Sequence, residues 1–428
     1  IVDRSPVKFR RTKGMRPLPI PERGGSVDLL RALLNVRSDD WPLIAAWLLA
    51  AYRPQGPYPV LSLFGEAGSS KSTTSRVLRS LIDPNEAPLR RQPRNEHDLV
   101  IAAHNSWIVT LDNLSSIPTW LSDGLCRLAT GGGFSTRTLY ENTEEQLFNA
   151  SRPVILNGIE ELATRGDLVD RTLMVTLERL EDGDRMPESE YWQQVDRHAP
   201  QIFGAFLDAV SDALRLLPGT SVENLPRMAD FALWSVAGEQ AIGLQPGQFL
   251  DAYSKSQASA NDSVIEACVV GEGIVTVTQN HRLWAGTATE LLREVEKVIA
   301  EDRRKRKDWP KDGRGMSNRI RRIAPNLRAM GIEVDFSRRN RTRVITLRLE
   351  QGGNSPSPSS PMSVTPGGAG SSTSGDGDAN CDATDSASVT EADSVSAGEL
   401  AGCGCGDAGD ASDDESRTQS AGRIVMEF

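Results

Sequence analysis

Short apolar runs and helical spacing alternate along the first half of the chain. Stretches that place apolar residues three and four positions apart, as helices do, separate runs that are rich in β-branched residues. Because strands that alternate with helices pair side by side in parallel, this pattern predicts an α/β fold whose parallel sheet is covered by helices on both faces. The predicted strands are Val60 to Phe64, Trp107 to Asp112, Arg152 to Asn157 and Arg171 to Leu177.

The pattern changes twice in the second half. Residues 188–253 have helical spacing throughout, which predicts a small helical lid after the α/β core. From residue 352 onward Ser, Gly, Asp, Ala and Pro dominate, and such a segment cannot bury enough apolar surface to fold. We therefore expect an irregular basic lead-in (1–25), an α/β core with N-terminal helices (26–180), a helical lid and connecting region (181–284), a basic module (285–350) and a disordered acidic tail (351–428).

The basic module shows two helix patterns followed by a hairpin pattern. Thr287 is placed to cap the first helix, and the second, Met316 to Met330, has Pro325 inside it, which predicts a kink or a break. Two helices and a two-stranded wing are the order of a winged helix-turn-helix. We expect this module to bind DNA, although an exposed basic helix without a ligand would show the same pattern. The candidate contacts are Arg319, Arg321, Arg322, Arg338, Arg339, Arg341 and Arg343.

The charge is distributed unevenly over the 428 residues, whose net charge is -10. Residues 351–420 contain twelve acidic residues and one arginine, so the rest of the chain is close to neutral. Residues 290–350 contain eighteen basic against ten acidic residues, which favours an anionic partner such as DNA.

No membrane or secretory signal is apparent. The longest apolar runs, such as Leu43 to Tyr52, are about half of the roughly 20 residues needed to cross a bilayer. The chain starts without a signal-peptide pattern, and its five cysteines form neither an even disulfide framework nor a zinc-binding spacing. We expect a cytoplasmic protein without a membrane partner.

The sequence GEAGSSKST follows the first predicted strand and opens a helix. It matches the phosphate-binding loop GxxxxGK[ST] except at Ser70, where the second glycine usually stands. Such a loop directs backbone N–H groups and a helix N-terminus at the phosphates, with a lysine on the outer phosphates and a hydroxyl on Mg²⁺. We expect ATP and Mg²⁺ to bind here, through Gly65, Glu66, Ala67, Gly68, Ser69, Ser70, Lys71, Ser72 and Thr73.

Two further polar residues end predicted strands. Asp112 follows an apolar run about 40 residues after Lys71, which is the arrangement of a Walker B aspartate that holds Mg²⁺ together with Ser72. Asn157 ends the next strand. An asparagine at that position could also simply cap a turn before Gly158.

These motifs resemble those of AAA+ P-loop ATPases, and among them the superfamily 3 helicases and primase-helicases of phages, plasmids and other mobile elements. The resemblance implies that Asn157 positions the attacking water and that Arg171 is an arginine finger for the neighbouring subunit, with Arg165 as the second candidate. It implies that Arg227 is a second sensor arginine at the nucleotide. It also implies a homo-oligomeric ring such as a hexamer, with Arg137 on a hairpin that grips single-stranded DNA in the pore.

Asn113 departs from the family pattern, which has a glutamate after the Walker B aspartate. An amide cannot accept a proton, but it can orient water as a glutamine does in some GTPases, and Glu66 could supply a base. Arg171 could instead form an ion pair with Asp167 or Asp170. The catalytic candidates are Lys71, Asp112, Asn113, Asn157 and Arg171.

Three functions follow from these features. The first is an ATP-dependent DNA helicase or translocase acting in replication of a phage or mobile element. The second is an ATP-switched DNA-binding initiator or regulator with little or no hydrolysis, which the residue Asn113 favours. The third is a small-molecule phosphotransferase, which would leave the basic module without a role.

Overall fold

The computed structural model describes residues 11–137, 145–149, 151–158, 165–181, 183, 185–306, 309–339 and 342–350. Within these residues, every helix is too short or too polar to cross a bilayer. The predicted tail (351–428) lies outside the described residues, as does Arg341.

The described ranges contain thirteen α-helices, a short 3-10 helix (Leu217–Gly219) and nine strands. The helices are α1 (Asp28–Leu33), α2 (Trp41–Ala51), α3 (Lys71–Ser80), α4 (Glu96–Asn105), α5 (Thr119–Thr130), α6 (Gly166–Val169), α7 (Glu188–Leu216), α8 (Ala229–Gly238), α9 (Gln248–Ala267), α10 (Val269–His281), α11 (Ala288–Val298), α12 (Glu301–Arg304) and α13 (Gly313–Ala329). The strands are β1 (Val60–Phe64), β2 (Val109–Leu114), β3 (Gly133–Arg137), β4 (Glu145–Asn149), β5 (Val154–Gly158), β6 (Thr172–Thr176), β7 (Leu283–Gly286), β8 (Ile332–Arg339) and β9 (Thr342–Leu349).

The central sheet has four parallel strands in the order β2-β5-β1-β6. This confirms the predicted α/β fold with a parallel sheet. Because β5 lies between β1 and β2, the ends of these three strands are adjacent at one edge of the sheet. We call this edge, where Phe64 and Gly158 pair, the carboxyl edge, and the opposite edge, where Val60 pairs with Val154 and Thr172, the amino edge.

Each face of the sheet has its own apolar core. Leu61 and Leu63 of β1 belong to a cluster that includes Trp47 of α2. Val60 of the same strand belongs to a second cluster with Leu125 of α5. The alternation follows from the two-residue period of a strand and explains why both faces carry helices.

The predicted helical region (188–253) contains α7, α8 and the first six residues of α9, which continues to Ala267. Phe203 and Phe206 of α7, Phe231 of α8 and Phe249 of α9 are fully buried and extend the first core. These helices therefore pack on the α/β core through aromatic side chains.

The C-terminal module joins α10, α11 and α13 to an antiparallel sheet of order β7-β9-β8. Leu291, Ile320, Leu327 and Leu347 are fully buried in its core. A capping box between Thr287 and Glu290 starts α11, as predicted for Thr287. The order of two helices and a hairpin agrees with the sequence pattern.

Two details of this module differ from the prediction. The second helix starts at Gly313, because Asp312 caps it through Gly315 N, and it continues past Pro325 to Ala329 without a break. Strand β7 was not predicted, and the expected boundary between residues 284 and 285 falls inside it. The module therefore begins earlier in the chain than the sequence suggests.

The predicted hairpin before β5 is present in the backbone. Strands β3 and β4 pair antiparallel, with Arg137 opposite Glu145, and residues 138–144 lie outside the described part of the chain. The hairpin therefore lies between α5 and β5, as the resemblance implied.

Candidate nucleotide site and basic module

The Gly65–Ser70 loop connects β1 to α3 and has three residues with positive φ, namely Gly65, Gly68 and Ser70. Gly65 has φ +149°, and a Cβ there would lie 2.2 Å from the carbonyl oxygen of Leu177, so only glycine fits. Ser70 has φ +64°, in the left-handed region, which costs a residue with a Cβ roughly 1 kcal/mol. The loop thus has at Ser70 the backbone conformation that its motif usually assigns to glycine.

Lys71 turns back over this loop. Its Nζ donates hydrogen bonds to the carbonyl oxygens of Gly65 (2.8 Å) and Glu66 (2.6 Å) and to Ser69 Oγ (3.0 Å). Partial burial lowers the pKa of the Lys71 ammonium, and the nearby Asp112 carboxylate opposes that shift. Because all three acceptors are neutral, an anion held by the first-turn N–H groups of α3 would be a stronger partner for the ammonium.

Ser72 and Asp112 meet at the carboxyl edge. Ser72 Oγ donates a hydrogen bond of 2.8 Å to Asp112 Oδ1. The pairing of β2 with β5 shifts register between Leu111 and Leu114, so a bulge places Asp112 and Asn113 outside the regular ladder. Asn113 has φ +54°, a conformation that asparagine tolerates better than most residues.

Asn157 connects this bulge to α3. Its side chain is buried, its Oδ1 accepts a hydrogen bond of 2.7 Å from the backbone N–H of Asn113, and its Nδ2 donates to Ser75 Oγ at 3.3 Å. Ser75 Oγ in turn donates to the carbonyl oxygen of Lys71 at 3.0 Å. Asn157 therefore connects β5 to β2 and α3, and its side-chain oxygen binds the N–H of Asn113.

The oxygen atoms present fit a magnesium–nucleotide complex. Mg²⁺ usually takes one or two protein oxygens and completes its shell with phosphates and water. Ser72 Oγ and Asp112 Oδ1 provide such a pair. The described residues contain no group of three or more His, Cys, Asp or Glu side chains that could hold a metal ion.

Arg171 lies at the opposite, amino edge of the sheet. Its carbonyl oxygen accepts a hydrogen bond from Val60 N at the start of β1, whereas Gly65 follows the end of β1. At about 3.3 Å per residue, the strand separates these two positions by roughly 16 Å. Arg171 therefore does not reach the Gly65–Ser70 loop of its own chain.

The two candidate finger arginines differ in how firmly they are held. Arg165 forms an ion pair with Asp123 (3.1 Å) and donates to the carbonyl oxygen of Thr119 (3.1 Å). Arg171 donates through Nη1 to the carbonyl oxygen of Asp167 (2.6 Å), and its buried Nε has no hydrogen-bond partner among the described residues. Among the described residues, Arg171 therefore contacts the backbone of Asp167 and forms no ion pair with the carboxylate of Asp167 or Asp170.

Arg227 lies beside Arg171 rather than at the Gly65–Ser70 loop. Its Nη1 is 2.6 Å from Oδ2 of Asp170, the residue that precedes Arg171 at the amino edge. The placement of Arg227 at the nucleotide of its own chain is therefore not supported by the geometry, because this ion pair holds it at the other end of β1.

Two residues of the site had no signal in the sequence. Asn35 donates from Nδ2 to the carbonyl oxygens of Glu178 (2.6 Å) and Ser69 (3.4 Å), so it connects the N-terminal segment to the loop. Ser75 is the other, through its bonds to Asn157 and Lys71. Both act through contacts between residues far apart in sequence, which no local motif encodes.

The C-terminal module presents arginines around two cavities. One, of about 590 Å³, lies between α13 and the β8–β9 hairpin, and it includes Phe336, with the guanidinium carbon of Arg321 4.2 Å from the ring centroid. The other, of about 410 Å³, lies beside Trp309 and Lys311. The first cavity is lined by the predicted residues Arg321, Arg338 and Arg343, and the second by Arg319 and Arg322.

Comparison with known proteins gives a family over most of the chain. The model of a family described as actinomycete integrative conjugative element replication protein matches residues 27–263, and that of the AICE RepA C-terminal domain matches residues 270–362. No curated protein matches the chain.

Solved structures with detectable similarity are distant. The apo structure of the NrS-1 C-terminal region is 13% identical with a TM-score of 0.36, covering 80% of this chain and 79% of that chain. A structure of JCV helicase with a bound thiazolopyridine-containing acetamide is 12% identical with a TM-score of 0.24, covering 49% of this chain and 66% of that chain.

Proposed function

The chain belongs to the family of replication proteins of actinomycete integrative conjugative elements, and we propose that it is a cytoplasmic ATP-dependent DNA helicase or translocase of the AAA+ type. In this proposal the α/β core binds and hydrolyses ATP, the helical region forms a lid over it, and the C-terminal module binds duplex DNA.

One observation carries the proposal: Lys71, Ser72, Asp112, Asn113 and Asn157 converge at the carboxyl edge of the sheet. Ser72 and Asp112 are hydrogen-bonded to each other, and Asn157 joins the Asn113 backbone to α3. A lysine, a hydroxyl and a carboxylate at adjacent strand ends are residue types that phosphoryl-transfer sites use to hold phosphates and Mg²⁺.

Each residue has a distinct role in the proposal. ATP with Mg²⁺ supplies the phosphoryl group and a cation that neutralises charge as that group is transferred. Lys71 would bind the outer phosphates, and Ser72 with Asp112 would hold the cation. Asn113 would orient the attacking water with its amide, while Asn157 holds the backbone of Asn113 in place.

Subunit contacts complete the proposal. Arg171 lies at the amino edge, away from the Gly65–Ser70 loop of its own chain. In the proposal it would therefore approach the transferring phosphoryl group of a neighbouring subunit. We propose a homo-oligomeric ring, for example a hexamer, with the β3–β4 hairpin and its Arg137 contacting single-stranded DNA in the pore.

The C-terminal module would act as a winged helix on duplex DNA. Arg321, Arg322, Arg338 and Arg343 are exposed on α13 and the hairpin and can neutralise several phosphates, which makes binding dependent on salt concentration. The residues proposed for this contact are Arg319, Arg321, Arg322, Arg338, Arg339, Arg341 and Arg343.

A single-turnover measurement of ATP hydrolysis, with and without single-stranded DNA, tests the proposal. We expect hydrolysis that DNA stimulates and that Lys71→Ala abolishes, while Lys255→Ala, which changes an exposed lysine on α9, leaves it intact. Tight ATP binding without phosphate release would contradict a motor.

That contradicting outcome would favour the second candidate, an ATP-switched DNA-binding initiator or regulator. Its supporting observation is Asn113, an amide next to Asp112 where a proton-accepting carboxylate would speed hydrolysis. For such a switch, DNA affinity would change severalfold between the ATP-bound and nucleotide-free chain while no phosphate is released.

A further inference from the structure

We propose that Asn326 is a positioning residue that couples DNA binding by the C-terminal module to the orientation of Arg171. The inference rests on the proposed function, because it assigns a physical connection between the two proposed activities. It concerns the buried side of α13, whereas the proposed DNA contacts lie on its exposed side.

Asn326 forms a buried amide pair with α9. Its Nδ2 donates a hydrogen bond of 2.7 Å to Asn261 Oδ1, and its side chain is only 1% exposed. Asn261 is itself fixed, since its Nδ2 donates to the carbonyl oxygen of Gln257 at 2.8 Å. A hydrogen bond between two buried amides has one favourable geometry, so the pair fixes how α13 sits on α9.

The other side of Asn326 faces α6. A Cβ built on Gly166 would lie 3.0 Å from Asn326 Oδ1 and 3.8 Å from the carbonyl oxygen of Arg322. Asn326 Oδ1 has no hydrogen-bond partner in the described part of the chain, and it lies next to the position that a side chain at residue 166 would occupy. A Cβ at residue 166 would therefore be in tight contact with Asn326 Oδ1, and the Asn326 amide or α6 would have to shift by a few tenths of an ångström.

Helix α6 in turn holds Arg171. The residue after Gly166 is Asp167, whose carbonyl oxygen accepts the hydrogen bond from Arg171 Nη1. One peptide unit therefore separates the contact with Asn326 from the group that orients the arginine.

Helix α9 holds the strand that follows Arg171. Ser256 Oγ accepts a hydrogen bond from Met174 N at 3.0 Å, and Gln257 Nε2 donates to the carbonyl oxygen of Thr172 at 2.9 Å. Asn326 thus contacts both the helix before Arg171 and the helix that braces β6 after it. Because these contacts are close-packed, a displacement of α13 has to displace at least one of them.

The coupling follows from the two sides of α13. Arg321 and Arg322 are exposed, and DNA bound to them would hold α13 in one position. Asn326 would transmit that position to α6, and α6 would set the direction in which Arg171 points toward a neighbouring subunit. DNA on the module would then change the hydrolysis rate without any contact to nucleotide.

Hydrogen exchange measures this coupling directly and does not depend on hydrolysis. We expect duplex DNA to slow amide exchange severalfold in α13, in the β8–β9 hairpin and also in α6. In Asn326→Leu the DNA effect should persist in α13 and the hairpin but disappear from α6. Asn280→Leu, an exposed position on α10 of the same module, is the matched control and should behave like the unchanged chain.

Two more variants separate coupling from folding. The double variant Asn261→Leu with Asn326→Leu replaces the hydrogen-bonded pair by an apolar one, so we expect its melting temperature to recover while DNA still fails to protect α6. If Asn326→Leu does not fold, Gly166→Ala tests the same contact from the other side. The same variants should lose DNA stimulation of kcat while KM for ATP stays unchanged.

The possible outcomes are distinguishable. Protection of α13, the hairpin and α6 that is equal in Asn326→Leu and the unchanged chain would overturn the coupling and leave DNA binding in place. Protection of α13 and the hairpin without any effect on α6 in the unchanged chain would overturn it as well. If duplex DNA protects neither α13 nor the hairpin, the proposed DNA-binding function fails and the coupling fails with it.

Discussion

The side-chain oxygen of Asn157 accepts a hydrogen bond of 2.7 Å from the backbone N–H of Asn113, across the boundary between neighbouring strands. This bond fixes the bulge that carries Asp112 and Asn113, so the positions of the proposed metal ligand and of the proposed water-orienting amide depend on it. Asn157→Leu leaves the N–H of Asn113 without a partner, which should destabilise the chain by about 1–3 kcal/mol.

Urea denaturation and single-turnover hydrolysis check this prediction together. Hydrolysis should fall more steeply than ATP affinity, because the phosphate contacts at Lys71 remain. Ser75→Ala removes the 3.3 Å bond from Asn157 and the bond from Ser75 to the Lys71 carbonyl oxygen but keeps the bond between Asn157 and Asn113. It is the graded comparison, with a smaller expected loss of stability. Equal stability of Asn157→Leu and the unchanged chain would show that the bond does not hold the bulge.

Asn113→Gly isolates the side chain from the backbone at the same position. Glycine adopts φ +54° without strain and keeps the N–H that Asn157 binds, so stability and ATP affinity should change little. If the amide orients water, single-turnover hydrolysis should fall by about tenfold or more. An unchanged rate would remove Asn113 from the mechanism.

Ser70→Gly should stabilise the chain, because Ser70 is in the left-handed region at φ +64°. The expected gain in the free energy of unfolding is about 0.5–1 kcal/mol, measured by thermal or urea denaturation. Ser263→Gly, inside α9, is the control and should destabilise by about 0.5 kcal/mol, since glycine is disfavoured in a helix with ordinary φ. A loss of stability in Ser70→Gly would mean that the serine hydroxyl or its Cβ outweighs the backbone strain.

The role of Arg171 across subunits can be tested by mixing two inactive chains. Lys71→Ala retains Arg171, and Arg171→Ala retains Lys71, so a mixed ring contains some sites with both residues. We expect ATP hydrolysis to reappear on mixing. Arg165→Ala is the control and should hydrolyse ATP without mixing, because Arg165 is ion-paired with Asp123 of its own chain. No recovery from chains that do assemble would place Arg171 outside the neighbouring site.

Salt dependence measures the phosphate contacts of the C-terminal module. Arg343→Ala should reduce the slope of log affinity against log salt by about 0.9, because one released counterion is lost. Arg215→Ala, an exposed arginine on α7 with a 68% exposed side chain, should leave the slope unchanged. Equal slopes for both variants would show that Arg343 does not contact a phosphate.

Much of the architecture followed from local patterns. Strand β1 and the start of α3 at Lys71 fall where the apolar run and the GEAGSSKST motif predict them, because burial and loop geometry are both encoded within about 15 residues. The expectation of a replication protein from a mobile element is confirmed by the family match.

What sequence patterns missed depends on pairing between distant residues. Strand β7 has four residues and alternates in exposure, and it is a strand only because it pairs with β9, some 60 residues later. The ion pair of Arg227 with Asp170 spans 57 residues, and no local motif encodes a contact over that distance. Arg79 and Asp83 are four residues apart, a spacing typical of ion pairs on the exposed face of a helix. Their side chains are nevertheless only 0% and 3% exposed.

The length of β1 has a consequence for how activity depends on protein concentration. Five strand residues keep Arg171 away from the Gly65–Ser70 loop that follows the same strand. If Arg171 completes the neighbour's site, an isolated chain is catalytically incomplete, and the hydrolysis rate per chain would rise as dilute chains assemble. The protein would then hydrolyse ATP only where several chains assemble, for example on the same DNA molecule.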